Sequence, residues 1–307
     1  MKQPVIEVTN FRKSYGDFTA VADISFTAAA GEIFGLLGPN GAGKTTTLEC
    51  LEGIRQPDGG TLRVAGVDPT RDPRGLRHVI GVQLQAAGMP ATMTPDEAMR
   101  FFCAYHNIAP RYELLDRFGL TAKRDTQFQE LSTGQQRRLA LALAIAHEPQ
   151  VLFLDEPTAG LDVPSRRELH ALLRELKAAG TTIMLATHDM AEAEEMTDRV
   201  AILLGGRIAA TGTPLEITAT GAGMTKVTVQ TRHNTLLAQP QPIPAVRQWH
   251  GQENYAIYFS EDIASTVPAL IAAVQAGEDE LLDLRVERPS LEERFLELTN
   301  GSPAAAD

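Results

Sequence analysis

The chain opens on alternating apolar and polar positions. Val5-Ile6-Glu7-Val8 and Thr19 to Phe26 read as strands, with Tyr15-Gly16-Asp17 as the turn between them. Glu32 to Leu37 is a short apolar strand that runs into a glycine-rich loop. Lys44 to Gly53 then reads as a helix, ended by Gly53 and soon followed by Pro57. Asp58-Gly59-Gly60 is a turn before the strand Thr61 to Val64, and Pro95 to Tyr105 and Tyr112 to Phe118 are helical. Ser132 to His147 is a helix with a marked start: Ser132 can cap it, and Gln135 stands three residues on, the spacing of a capping box. Val151 to Leu154 is a buried strand. Ser165 and Glu168 repeat the capping-box spacing before the stripe Leu169, Leu172, Leu173 and Leu176. Thr181 to Ala186 and Val200 to Leu204 are further strands. Strands alternating with helices predict a layered α/β domain with a mainly parallel sheet.

A change of texture follows. Thr211 to Thr225 is rich in Gly, Thr and Ala, and the domain boundary is placed near Ala219 to Met224. Lys226 to Thr231 and Tyr255 to Phe259 alternate as strands, Ile263 to Gln275 is helical, and Leu281 to Val286 is a strand. Ser290 and Glu293 make a third capping-box pattern, followed by Leu291, Phe295 and Leu298 on one helix face. The expected organisation is a first domain over residues 1–220, a small α+β domain over 225–300, and a disordered tail at 301–307.

Composition narrows the possibilities. The 307 residues are 43% hydrophobic and 22% charged, with a formal net charge of −11, which argues against a nucleic-acid partner. Arg137-Arg138 and Arg166-Arg167 read as solvated helix faces. Cys50 and Cys103 have neither metal-ligand nor disulfide-framework spacing and are expected reduced and packed. No basic-then-apolar leader opens the sequence, and the longest apolar run, Leu139 to Ala146, is far short of the 18 or so residues of a membrane span. A transport role would require another polypeptide.

The chemistry sits in three places. Gly38-Pro39-Asn40-Gly41-Ala42-Gly43-Lys44-Thr45 matches G-x-x-x-x-G-K-[ST] between a strand and a helix, with Thr46 next in the helix. Its glycines let backbone amides converge on phosphates, the helix points its positive end there, Lys44 should reach the β- and γ-phosphates, and the Thr45 hydroxyl should hold Mg²⁺. Asp155 and Glu156 end a buried apolar run, where a carboxylate needs a cation or donors. Asp155 suits the metal side, directly or through water, and Glu156 the base that polarises attacking water. Leu131-Ser132-Thr133-Gly134-Gln135 starts a helix whose open amides can meet an anion, although Ser132 alone would read as a plain cap.

In this order and spacing the three resemble the nucleotide-binding subunit of an ATP-binding-cassette (ABC) transporter, over roughly residues 3 to 220. The resemblance implies an ABC-type P-loop ATPase using ATP and Mg²⁺. It implies that Leu131 to Gln135 is the signature that closes over ATP held by a second copy, through Ser132, Gly134 and Gln135. Thr133 departs from the family's usual glycine. Gln85 matches the glutamine that senses Mg²⁺ and contacts the membrane partner, with Gln83 as a nearby competitor. Asp162 matches the loop crossing the dimer interface, His188 the γ-phosphate histidine, and Tyr15 the aromatic that stacks on adenine. Val286 to Phe295 looks like the ending of subunits serving drug, antibiotic or polysaccharide exporters, and by analogy Gln85 to Thr94 faces the membrane subunit. The implied protein is a homodimeric ATPase, cytoplasmic and peripheral on the inner face of the membrane, working with a separately encoded permease. An importer subunit and a soluble ABC ATPase of cofactor assembly, DNA or ribosome work are the competing readings. The stretch between Lys44 and Leu131 is too short for a long coiled-coil insertion, and the chain has one cassette where ribosome-associated members usually have two.

Overall fold

Two long alternating segments form a hairpin, β1 (Pro4–Tyr15) and β2 (Phe18–Ala29), turning at Gly16 with φ +57°. β3 (Ile33–Leu37), buried along its whole length, leads into α1 (Lys44–Leu51), and β4 (Gly59–Val64) returns to pair with β1. α2 (Pro73–Val79), capped by Asp72, feeds β5 (Ile80–Gln83). α3 (Pro95–Tyr105) starts on a Thr94–Glu97 capping box, and α4 (Tyr112–Arg117) follows. α5 (Thr133–Ala144), β6 (Val151–Asp155), α6 (Val163–Ala178), β7 (Thr182–Thr187), α7 (Met190–Met196), β8 (Arg199–Leu204) and β9 (Arg207–Gly212) complete the first of two compact units, residues 1–214. These coordinates are a computed structural model that describes residues 3–83, 88–219, 224–238 and 242–300.

The six-stranded sheet has the order β5-β6-β7-β3-β8-β9, parallel except for β9. Period two sends successive side chains to opposite faces. Phe34, Leu36 and Phe153 join Phe11, Phe26 and Leu48 in one core, under the antiparallel sheet β2-β1-β4. Ile33, Leu152 and Leu154 join Met99, Leu115, Leu141 and Leu173 in the other, under the helices. A strand buried on both faces must be apolar throughout, which is why β3, β6 and β7 lack clean alternation. With β3 central, its carboxyl end and that of β6 open on the same edge of the sheet, where ligands of α/β sheets bind.

One predicted helix start is corrected. α6 is capped by Asp162, whose Oδ1 accepts the Ser165 amide at 2.9 Å, and not by Ser165. Pro164 lacks an amide hydrogen and fits the first turn, so the helix begins earlier than the Ser165–Glu168 spacing suggests. The unpredicted α2, β5, α7 and β9 are four to seven residues long, too short for periodicity to declare itself.

The second unit covers residues 215–307. α8 (Pro214–Ala219) starts at the junction, and 220–223 and 301–307, which hold part of the expected boundary and the expected tail, lie outside the described residues. β10 (Thr225–Thr231), α9 (Thr235–Ala238), β11 (Val246–Gln252), β12 (Tyr255–Ser260), α10 (Ile263–Ala276), β13 (Leu281–Glu287) and α11 (Leu291–Asn300) follow. The antiparallel sheet β11-β12-β10-β13 buries Val227, Val229, Ala256 and Tyr258 with Leu270 and Val274 of α10. Its β11 was invisible to patterning because six of its seven residues are exposed. The Ser290–Glu293 capping box forms, with Ser290 N donating to Glu293 and Glu293 N to Ser290 Oγ.

Phe153 is fully buried in β6, two residues before Asp155. Phe153→Ala should destabilise the first unit by about 3–5 kcal/mol, read as an earlier urea unfolding midpoint.

Candidate active site

The loop between β3 and α1 is held by its glycines. Gly43, at φ +102°, stands where a Cβ would lie 2.6 Å from the Ala20 carbonyl oxygen, and a Cβ on Gly38 would lie 2.4 Å from that of Leu203. Gly43 is the N-cap of α1 and offers no side chain, so the amides of Lys44, Thr45 and Thr46 receive no capping bond. They open into a cavity of about 170 Å³ lined by Tyr15, Asn40, Gly41, Lys44, Thr45 and Thr46, together with Glu156. Lys44 is buried. Its Nζ donates to the carbonyls of Gly38 (2.7 Å) and Pro39 (3.2 Å) and lies 3.9 Å from Glu156 Oε1. Burial pushes the ammonium pKa down, opposed by Glu156 and Asp155. Uncapped helix amides beside a buried cation suit a phosphate group.

Asp155 and Glu156 arrive from β6. Thr45 Oγ1 donates to Asp155 Oδ2 at 2.9 Å, while the buried Asp155 Oδ1 has no hydrogen-bond partner. Burial pushes the Asp155 carboxyl pKa up, against the Thr45 hydrogen bond. Glu156 adopts φ +50°, a left-handed conformation that costs a non-glycine residue about 1–2 kcal/mol. That turn is pinned by its amide donating to the Ala186 carbonyl at 2.9 Å, and it aims the carboxylate at Lys44. His188, exposed after β7, has Nδ1 2.8 Å from Glu156 Oε1. The adjoining turn is tied down: Asp189 N donates to Thr187 Oγ1, and Arg166 Nη1 donates to Asp189 Oδ2 at 3.1 Å.

Residues 131–135 do not line this cavity. They start α5 with a reciprocal capping box: Gln135 N donates to Ser132 Oγ (3.3 Å), and Ser132 N to Gln135 Oε1 (2.9 Å). At Gly134 a Cβ would meet Ser165 Oγ only at 3.4 Å, an ordinary contact, so internal packing does not demand glycine there. Asp162 caps α6. Tyr15 rims the phosphate cavity, half-exposed, with Lys13 Nζ and Arg55 Cζ 5.5 and 5.4 Å from its ring centroid. Gln85 lies outside the described residues, while its competitor Gln83 is buried at the end of β5 with neither side-chain amide atom partnered.

The ABC transporter family profile matches residues 21–159. The Nod factor export ATP-binding protein I of Paraburkholderia xenovorans (strain LB400) is 42% identical over 229 residues, 73% of this chain and 75% of that protein. The daunorubicin resistance ATP-binding protein DrrA3 of Streptomyces coeruleorubidus is 33% identical across 97% of both chains. A solved ATP-binding subunit of an ABC transporter matches 70% of this chain and 92% of its own, at 28% identity and a TM-score of 0.66. The chain belongs to the ABC transporter ATP-binding family. Its fold is the ABC ATPase fold, and its reaction is the hydrolysis of ATP that powers transport.

In this ABC ATPase the larger cavity, about 490 Å³, lies away from the phosphate loop, between β5, α3 and α5. Met89, Phe102, Tyr105 and Leu143 give it apolar walls, and Gln83, Glu52 and His147 set polar atoms into it. His147 stacks on His106 with ring centroids 3.8 Å apart, and burial lowers its pKa to about 4. Sequence reading also missed Arg137. Read as solvated, it is half-buried on α5; burial pushes its pKa down and the carboxylates of Asp155 and Glu156 oppose that. Its partner in sequence, Arg138, pairs with Glu168 at 3.3 Å. Helical spacing could have separated the two, since neighbours on a helix point about 100° apart.

Glu52, buried at the end of α1, has its pKa raised to about 8 by burial, with Asp155 and Glu49 adding to the rise. A carboxyl raised in the folded state above its unfolded value stabilises the fold at low pH and loses that contribution as pH climbs to its folded pKa. The unfolding temperature of the parent should therefore fall relative to Glu52→Gln between about pH 5 and about pH 8, and the gap should level off above that. Parallel melts of the two proteins across this range check it.

Proposed function

We propose that the chain is the ATP-hydrolysing subunit of an exporter that moves a drug-like, antibiotic, lipid or polysaccharide substrate through a separate membrane permease. The observation that carries this reading is the end-to-end similarity to a daunorubicin resistance ATP-binding protein, which includes the second unit as well as the ATPase core. The Nod factor export relative supports the same direction of transport. Among the described residues no helix is long and apolar enough to cross a membrane, so the pathway would lie in the permease. The apolar groove beside Met89 and Phe102 is a fitting seat for a permease segment. Such a subunit would sit on the cytoplasmic face of the membrane.

Within the site, the first-turn amides of α1 and Lys44 bind the β- and γ-phosphates, residues Gly38 to Ala42 wrap them, and Tyr15 stacks on adenine. Thr45 and Asp155 present hard oxygen donors, one of them the partnerless Asp155 Oδ1, and this set fits Mg²⁺. These residues, with Gln85, would hold the ion, which neutralises charge on the phosphate oxygens. Glu156 orients a water and takes its proton, and His188 holds the Glu156 carboxylate at the γ-phosphate. Ser132, Gly134 and Gln135 of a second copy close the site, with Asp162 at the crossing. That residues 131–135 do not line the phosphate cavity of their own chain supports this sharing.

Glu156→Gln should keep ATP binding and lower hydrolysis by about 10²–10⁴-fold. Hydrolysis at the parental rate would refute the assignment. An equimolar mixture of Lys44→Ala and Gly134→Asp chains should hydrolyse ATP faster than the sum of the two alone, since a mixed dimer keeps one site with both halves intact. Strict additivity would count against a shared site.

A further inference from the structure

The second unit carries an open sheet edge whose side chains are complementary to themselves. β13 pairs with β10 on one side and ends the sheet on the other. Leu281, Leu282 and Val286 are 39%, 50% and 41% exposed on this strand. Edge strands usually carry charges that discourage pairing with another chain. Here the two central charges are opposite in sign: Asp283 and Arg285 lie on one face, 2.7 Å apart, on either side of Leu284.

We propose that β13 is a dimerisation edge that takes β13 of a second copy in antiparallel register, joining two four-stranded sheets into one of eight strands. A two-fold axis and full overlap of Leu281–Glu287 leave one register, with Leu284 opposite Leu284 of the other copy. That register sets Asp283 against Arg285 twice, on one face. On the other face it sets Leu282 against Val286 twice, covering the two most exposed apolar side chains of the strand. Opposite charges and apolar pairs directly across an antiparallel pair each stabilise it by about 0.2–1 kcal/mol. The outermost pairs bring Leu281 to Glu287, whose carboxylate is already held by Lys226 at 3.0 Å. The other edge, β11, has no such symmetry: about its midpoint Trp249, Gln248 would face His250, and Arg247 would face Gly251.

This contact needs no nucleotide, so it can be tested apart from the ATPase reading. In sedimentation equilibrium of the full chain without ATP, the parent should show a monomer–dimer equilibrium. Asp283→Arg and Arg285→Asp, which place like charges opposite each other, should each weaken it about tenfold or more. An equimolar mixture of the two should dimerise as tightly as the parent, because the heterodimer restores both pairs. A second measurement uses exposed cysteines: mixed Asp283→Cys and Arg285→Cys chains should cross-link between copies under an added disulfide oxidant, and neither alone should. A parent that stays monomeric up to about 100 μM, a mixture no tighter than its components, or cross-linking that ignores the pairing would overturn the proposal. Unchanged ATP hydrolysis in the single variants would show that the ATPase unit is intact whichever way the test falls.

Discussion

Everything around the nucleotide site depends on a helix start left without a cap beside two buried carboxylates. Most helices in this chain satisfy their first amides internally: Thr94, Ser132, Asp162 and Asp189 each accept from their own first turn. α1 does not, because its N-cap is Gly43 in a left-handed conformation. The open amides, the buried Lys44 ammonium and the raised Asp155 pKa all describe a place that is costly without an anion and a cation to complete it. The strained Glu156 backbone belongs to the same arrangement. Such local costs are sustained by the apolar mass of β3, β6 and β7 on both faces of the sheet.

The sheet order turns that cost into chemistry. β3 and β6 are separated by β7 alone, so Lys44 and Thr45 from one crossover meet Asp155 and Glu156 from another across one strand. His188 follows β7 itself and reaches Glu156 from between them. Three successive strand ends thus supply cation, acids and imidazole. The start of α5, by contrast, completes its own hydrogen bonds through the Ser132–Gln135 capping box and stands apart from this cavity.

Much of this was legible in the sequence, and for identifiable reasons. The phosphate loop, the acid pair and the 131–135 turn are local arrangements in which spacing alone fixes geometry, so their residues could be named in advance. The long elements announced themselves through periodicity. Misreadings came where two local signals competed or none was strong. Asp162 and Ser165 both fit an N-cap, and Pro164 decides between them in three dimensions. Arg137 and Arg138 look alike in sequence, yet one turns toward the acids and the other toward Glu168. β11 has almost no buried residue to give it a pattern.

By itself the sequence determined the chemistry available: which backbone turn accepts phosphate, which residues carry charge, and which family the chain belongs to. Motifs of this kind are set by bonded neighbours and do not wait on distant contacts. Only the tertiary structure decided which charges meet. The 2.9 Å bond from Thr45 to Asp155, the approach of His188 to Glu156, the buried Glu52 and the open β13 edge all join residues, or expose them, according to strand order. Strand order follows from long-range burial of apolar faces, and no short stretch of sequence contains it.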